Sequence, residues 1–129
     1  MEFFQGLHSG LGKYLLPALA ILGSLRALYG WLRTDSYRKW DRGLGMLYTS
    51  LLDLQLLMGF IIFFVWPERR PAQWHGHLTF MILAIIVAHV GSILVKRAKT
   101  ESRQQMIQLL AYALSLALIL AGLKFVGVW

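Results

Sequence analysis

The sequence predicts an all-α integral membrane protein: a four-helix, up-down-up-down bundle with both termini outside, on the periplasmic side if the source is a bacterium. Three observations predict it. Of the 129 residues 57% are hydrophobic and 15% charged, and mean hydropathy is +0.57, whereas soluble domains carry about 25% charge and 45–50% apolar residues. Four apolar stretches, at about 5–32, 44–66, 76–95 and 104–127, each approach or exceed the roughly 20 residues needed to cross hydrocarbon. The basic residues, finally, are distributed unequally between the two ends of these stretches. The first connection and its flanks hold Arg26, Arg33, Arg38, Lys39 and Arg42, and the third holds Lys96, Arg97, Lys99 and Arg103. Only Lys13, Arg69, Arg70 and Lys124 fall on the opposite side. The positive-inside rule then directs both termini and the Pro67–Trp74 connection outward.

The first stretch is expected to stay in the mature chain, because it opens with Glu2 instead of a basic segment and runs on without a small-residue cleavage pattern. Within it, Pro17 is expected to interrupt the helix. Gly6 and Gly10 form a GxxxG pair around His8, a spacing that lets another helix or a flat ligand come close. The second stretch carries Asp53 and Gln55, the third His77 and His89 with His75 at its start, and the fourth no ionisable residue before Lys124. The connections Arg33–Gly43, Pro67–Trp74 and Lys96–Arg103 are short, so sequence neighbours should pack antiparallel and residues 1–129 form a single domain. Trp66, Trp74 and Trp129 fall at outer ends and Trp31 and Trp40 near inner ends, as interfacial anchors do.

Composition excludes several functions. Without cysteine there is no disulfide framework, thiolate metal site, cysteine nucleophile or covalent haem attachment. A formal charge of +7 and a pI near 10.2 do not indicate nucleic acid, because the basic residues lie between apolar runs instead of on one folded patch.

The ionisable residues within the stretches cost at least about 2.5–3.5 kcal/mol each near the bilayer centre, so each is expected to face the interior with a partner. They form two tiers. His8, His75 and His77 lie near outer helix ends, and His89 lies about 18 Å deeper than His77 at 1.5 Å per residue, level with Asp53. Two neutral imidazoles facing each other from different helices can ligate a haem iron. His8, with Gly6 and Gly10 beside it, opposite His77 or His75, meets the depth requirement, and Arg69 and Arg70 could pair with haem propionates. Interfacial histidines bonded to water or backbone, or a metal or quinone site, are the competing readings. On helix 3, His75 and His89 share a face, while His77 and His89 are rotated by about 120°. For Asp53 the alternatives are a pair with His89, shuttling a proton or orienting the imidazole, or a protonated carboxyl bonded to Gln55, Tyr48, Thr49 or a backbone carbonyl.

With Leu7-His8-Ser9, Tyr29-Gly30-Trp31, Asp53-Leu54-Gln55-Leu56-Leu57-Met58-Gly59, His77-Leu78-Thr79-Phe80-Met81 and Ala88-His89-Val90-Gly91, the chain resembles a group of small four-helix bacterial membrane proteins with cytochrome b-like histidine placement. The resemblance covers nearly the whole chain. It implies paired histidines at two depths, suited to b-type haem. In those relatives the position before Leu-Gln in helix 2 is usually histidine, and here it is Asp53. That departure removes a ligand from a second, inner haem at His89 and leaves the outer pair His8 and His77, favouring His77 over His75.

The expected function is therefore a b-type haem-binding subunit that passes electrons in a respiratory or photosynthetic complex of the bacterial inner membrane, a carrier more than an enzyme. The alternatives are a haem-free accessory subunit and a proton- or quinone-linked site at Asp53 and His89. Expected partners are the lipid bilayer and a larger membrane complex or further copies of the chain, with quinone as a candidate ligand.

Overall fold

The structure is a computed structural model and describes residues 2–127; Trp129, one of the expected interfacial anchors, lies outside them. Four helices, α1 (Glu2–Leu32), α2 (Lys39–Val65), α3 (Trp74–Arg97) and α4 (Glu101–Lys124), are each long and apolar enough to cross a membrane. Among the described residues there is no strand.

α1 is interrupted upstream of Pro17. Residues Leu11–Leu15 form a π-helical turn between α-helical Glu2–Gly10 and Leu16–Leu32, and Pro17 sits in the first turn of the latter. Proline cannot donate to the preceding turn and its ring crowds the carbonyl four residues back. A wider turn at that point relieves both problems and keeps the helix continuous. At the other end α1 closes with Thr34 in the left-handed region (φ 50°), while the Asp35 N–H donates to the Gly30 carbonyl at 2.9 Å, a Schellman-type stop in which threonine occupies glycine's usual place.

All four helices begin two to five residues earlier than hydropathy indicates, and at α2 and α4 polar caps account for the extension. α2 starts at Lys39 where the Arg38 N–H donates to the Asp41 carboxylate at 2.8 Å. α4 starts at Glu101 with Thr100 Oγ1 accepting from the Arg103 N–H at 3.2 Å. Cap chemistry rests on polar side chains, for which hydropathy carries no helix signal.

α4 packs closely along both α1 and α3, whereas α2 stands farther from its neighbours. Close approach needs small residues at the contacts. α1 supplies Ala20, Gly23, Ala27 and Gly30, and α3 supplies Ala84, Ala88 and Gly91, all buried. Facing them is a stripe on α4 of Gln105, Gln108, Tyr112, Ser115, Ile119 and Gly122, also buried. A Cβ added at Gly23 would lie 2.5 Å from the Tyr112 ring, and one at Gly91 would lie 2.5 Å from the Ala111 Cβ.

The polar members of that stripe are bonded except for the Tyr112 hydroxyl, which is buried without a hydrogen-bond partner. Tyr48 and Ser115 hydroxyls lie 2.8 Å apart, Ser115 Oγ donates to the Ala84 carbonyl at 3.3 Å, Gln105 Nε2 donates to the Ser36 carbonyl at 3.1 Å, and the Tyr37 hydroxyl donates to Gln108 Oε1 at 3.1 Å. Burial pushes the Tyr37 phenol above its ordinary range. At the same end Arg26 links α1 to α2. Its guanidinium donates to both Asp41 oxygens at 2.8 and 3.0 Å, to Asp35 at 2.8 Å and to the Ser36 carbonyl at 3.0 Å, and it lies 4.9 Å from the Trp40 ring centre. Those bonds hold the Asp35 carboxyl below the usual carboxylate range, helped by the Ser36 N–H.

Candidate functional site

With α2 set apart, the far end of the bundle is left with a cavity of about 320 Å³ between α1, α2 and α3, bordered also by Leu123 and by Arg69, Arg70 and Pro71 of the connection between α2 and α3. This is the lower end of the range for small-molecule and cofactor sites, roughly 300–1,000 Å³. Its wall includes Gln5, His8, Gly12, Gln55, Gly59, Trp74, His77 and Met81.

Two imidazoles meet here. The rings of His8, from α1, and His77, from α3, have centroids 6.3 Å apart and planes at 74°. His77 Nδ1 lies 3.1 Å from the Gly122 carbonyl; since a carbonyl only accepts, Nδ1 is the protonated nitrogen and Nε2 keeps its lone pair. His8 Nδ1 is buried with no hydrogen-bond partner, which costs about 1–3 kcal/mol unless something occupies it. The backbone of His8 is also held: Gln55 Nε2 donates to its carbonyl at 2.6 Å. Gly12 admits that contact, because a Cβ there would lie 2.6 Å from Gln55 Nε2, and Gly59 leaves 3.1 Å between an added Cβ and His8 Cε1.

Two cationic residues lie at the cavity's polar edge: Arg69 donates to Gln5 Oε1 at 3.1 Å, and Arg70 donates to the Phe63 carbonyl at 3.0 Å and covers the Phe63 ring at 3.9 Å.

Other expected site residues lie elsewhere. His75 is exposed, stacked on Trp74 at 3.5 Å between ring centres, and does not line the cavity. Gly6 and Gly10 do not cradle a ligand or helix beside His8; nothing lies within 4 Å of a Cβ added at either, and both line a shallow outward groove with Tyr14. The reason is helical geometry: positions two before and two after His8 are rotated by about 200°, onto the opposite face. The glycines that admit neighbours are Gly12 and Gly59, whose signal in the sequence was a four-residue offset from His8 and from Gln55 respectively.

Asp53 and His89 pair with each other, Oδ1 to Nε2 at 2.8 Å, but do not face the interior. Their side chains are 53% and 45% exposed, on the outer surface where α2 meets α3, and neither lines the large cavity. The inward expectation fails because the α3 face opposite α4 is already taken by Ala84, Ala88 and Gly91. Gln105, Gln108 and Ser115 were not singled out from the sequence, although their spacing of three and seven residues places them on one helical face.

The described residues contain no cluster of three or more histidine, aspartate or glutamate side chains placed to hold a metal ion. No protein-family model, curated protein or solved structure matches the chain.

The donor set nonetheless suits a haem. His8 and His77, whose ring centres lie 6.3 Å apart, are the residues that could hold its iron. An N–H tied to a backbone carbonyl, as in His77, is the usual support of a ligating imidazole.

Proposed function

We propose that the chain is an integral membrane protein, an up-down-up-down bundle with both termini outside, that binds one b-type haem between His8 and His77. The observation that carries this reading is the facing imidazole pair on the wall of one cavity, with His77 Nδ1 committed to Gly122 and His8 Nδ1 without a protein partner. The distribution of lysine and arginine supports the orientation, which in a bacterium corresponds to the cytoplasmic membrane.

His8 and His77 would hold the haem iron. Gly122 fixes the His77 tautomer and ring direction, and Gln55 holds the backbone at His8. Arg69 and Arg70 offer cationic donors where carboxylates would reach the polar edge. Leu56, Phe60, Leu78 and Met81 give the cavity apolar wall against which a porphyrin would pack. A bound haem would supply a one-electron redox centre whose potential depends on its axial ligands and burial, and the chain would then serve as an electron carrier within a larger membrane assembly.

An absorption spectrum of protein purified in detergent from haem-replete cells tests this. A Soret band that disappears in His8→Ala and in His77→Ala, but persists in His75→Ala, is expected. A folded, colourless wild-type preparation, or a band indifferent to both substitutions, would overturn it. That outcome favours a haem-free accessory subunit, a reading supported by the outward-facing Asp53–His89 pair.

A further inference from the structure

We propose that the outer seam of α2 and α3 is a twofold interface with a second copy of this chain, closed by reciprocal hydrogen bonds between the Asp53–His89 pairs. The inference rests on the membrane placement above and is independent of haem. Asp53 Oδ1 and His89 Nε2 lie 2.8 Å apart with half of each side chain uncovered, at a depth where lipid tails satisfy neither group. Among the described residues, the other atoms of the pair, His89 Nδ1 and Asp53 Oδ2, make no hydrogen bond. Lipid favours the net-neutral form of the pair, and in that form, whether ionic or hydrogen-bonded, His89 presents an Nδ1–H donor and Asp53 an acceptor oxygen. One donor and one acceptor side by side are self-complementary.

A twofold axis joins such a pair to its copy by donating each His89 Nδ1–H to the partner copy's aspartate. Copies inserted in one orientation are related by an axis along the membrane normal, which keeps equivalent residues at equal depth. A different protein would have to carry a matching donor and acceptor at that level, whereas a second copy carries them by symmetry. The surrounding surface suits close packing: Leu57 and Ile86 lie one turn toward the outer side of the pair, Ser50 and Ile93 one turn toward the inner, and all four are exposed.

The absence of native cysteine permits a direct test on the full chain in its native membrane. Single variants Ser50→Cys, Leu57→Cys, Ile86→Cys and Ile93→Cys are oxidised mildly, with Leu22→Cys and Leu114→Cys on the α1 and α4 surfaces as controls. Disulfide-linked dimers are expected from the seam positions and not from the controls. Adding Asp53→Leu with His89→Leu should weaken dimerisation by about tenfold to a few hundredfold, the range for two interhelical hydrogen bonds in a membrane, and leave the helical content intact because leucine is at home in lipid. Chain that resists alkaline extraction yet links nowhere on the seam, or links equally with the leucine pair, refutes the interface alone. Release of the chain by alkali would overturn the membrane placement and the interface with it.

Discussion

Gly23→Ala and Gly10→Ala make the same chemical change in the same helix, and the structure assigns them opposite signs. At Gly10 nothing lies within 4 Å of the new methyl and the backbone is helical, φ −64°. The substitution should therefore stabilise by about 0.5–1 kcal/mol through reduced freedom of the unfolded chain and better helix propensity. At Gly23 the methyl would fall 2.5, 2.6 and 2.8 Å from three atoms of the Tyr112 ring. Restoring ordinary contact at 3.4 Å requires the ring to retreat by about 0.9 Å, and the void it borders holds only about 10 Å³. Tyr112 is 2% exposed and its ring centre lies 5.2 Å from that of Tyr48. Overpacking of this kind costs about 3 kcal/mol at its upper range; after the propensity gain of about 1 kcal/mol the net loss is about 2 kcal/mol. The two variants should therefore differ by about 3 kcal/mol, over a hundredfold in the folding equilibrium. Unfolding by sodium dodecyl sulfate in mixed micelles, followed by circular dichroism, measures the difference. Equal stabilities, or a loss at Gly10, would refute the assignment of Gly23 to the α1–α4 contact and of Gly10 to an open face.

The Arg26 cluster yields two further outcomes. Asp41→Ala removes both oxygens that hold the guanidinium and the cap of α2; with Asp41 only 4% exposed, the loss should be about 3 kcal/mol in the same micelle titration, the low end for breaking a buried pair because Asp35 and Ser36 still bond Arg26. A loss below about 0.5 kcal/mol would mean the pair behaves as an exposed one. Asp35 has a folded-state pKa below its unfolded value, so its contribution is present above the ordinary aspartate range near 3.9 and is lost as pH falls through the lowered value. The unfolding midpoint of the wild type should fall on acidification through that window, and Asp35→Asn should flatten the fall; a parallel decline in both proteins would exclude Asp35 as its source.

Hydropathy made the four helices legible because twenty apolar residues in a row admit few other structures. The 120° offset between His77 and His89 correctly separates a cavity-lining histidine from one at the outer surface, since helical rotation is local. What depended on rotation between helices was not legible. The GxxxG spacing of Gly6 and Gly10 is a valid signal for close approach, but which face meets a neighbour is decided by packing of the whole bundle, and here that face is open. The outward direction of Asp53 and His89 escaped for the same reason. The α4 stripe escaped because lipid is as apolar as the core, so α4 shows little contrast between its two faces; only Gln105, Gln108 and Ser115 mark the buried side. Polar caps at Asp41 and Thr100 extended two helices beyond their apolar stretches.

α4 is the last of the four helices to leave the ribosome, yet it provides the closest packing to both α1 and α3. Until α4 packs, α1 and α3 each lack their main partner, so the wall that carries His8 and the wall that carries His77 become fixed relative to one another only when the last helix is in place.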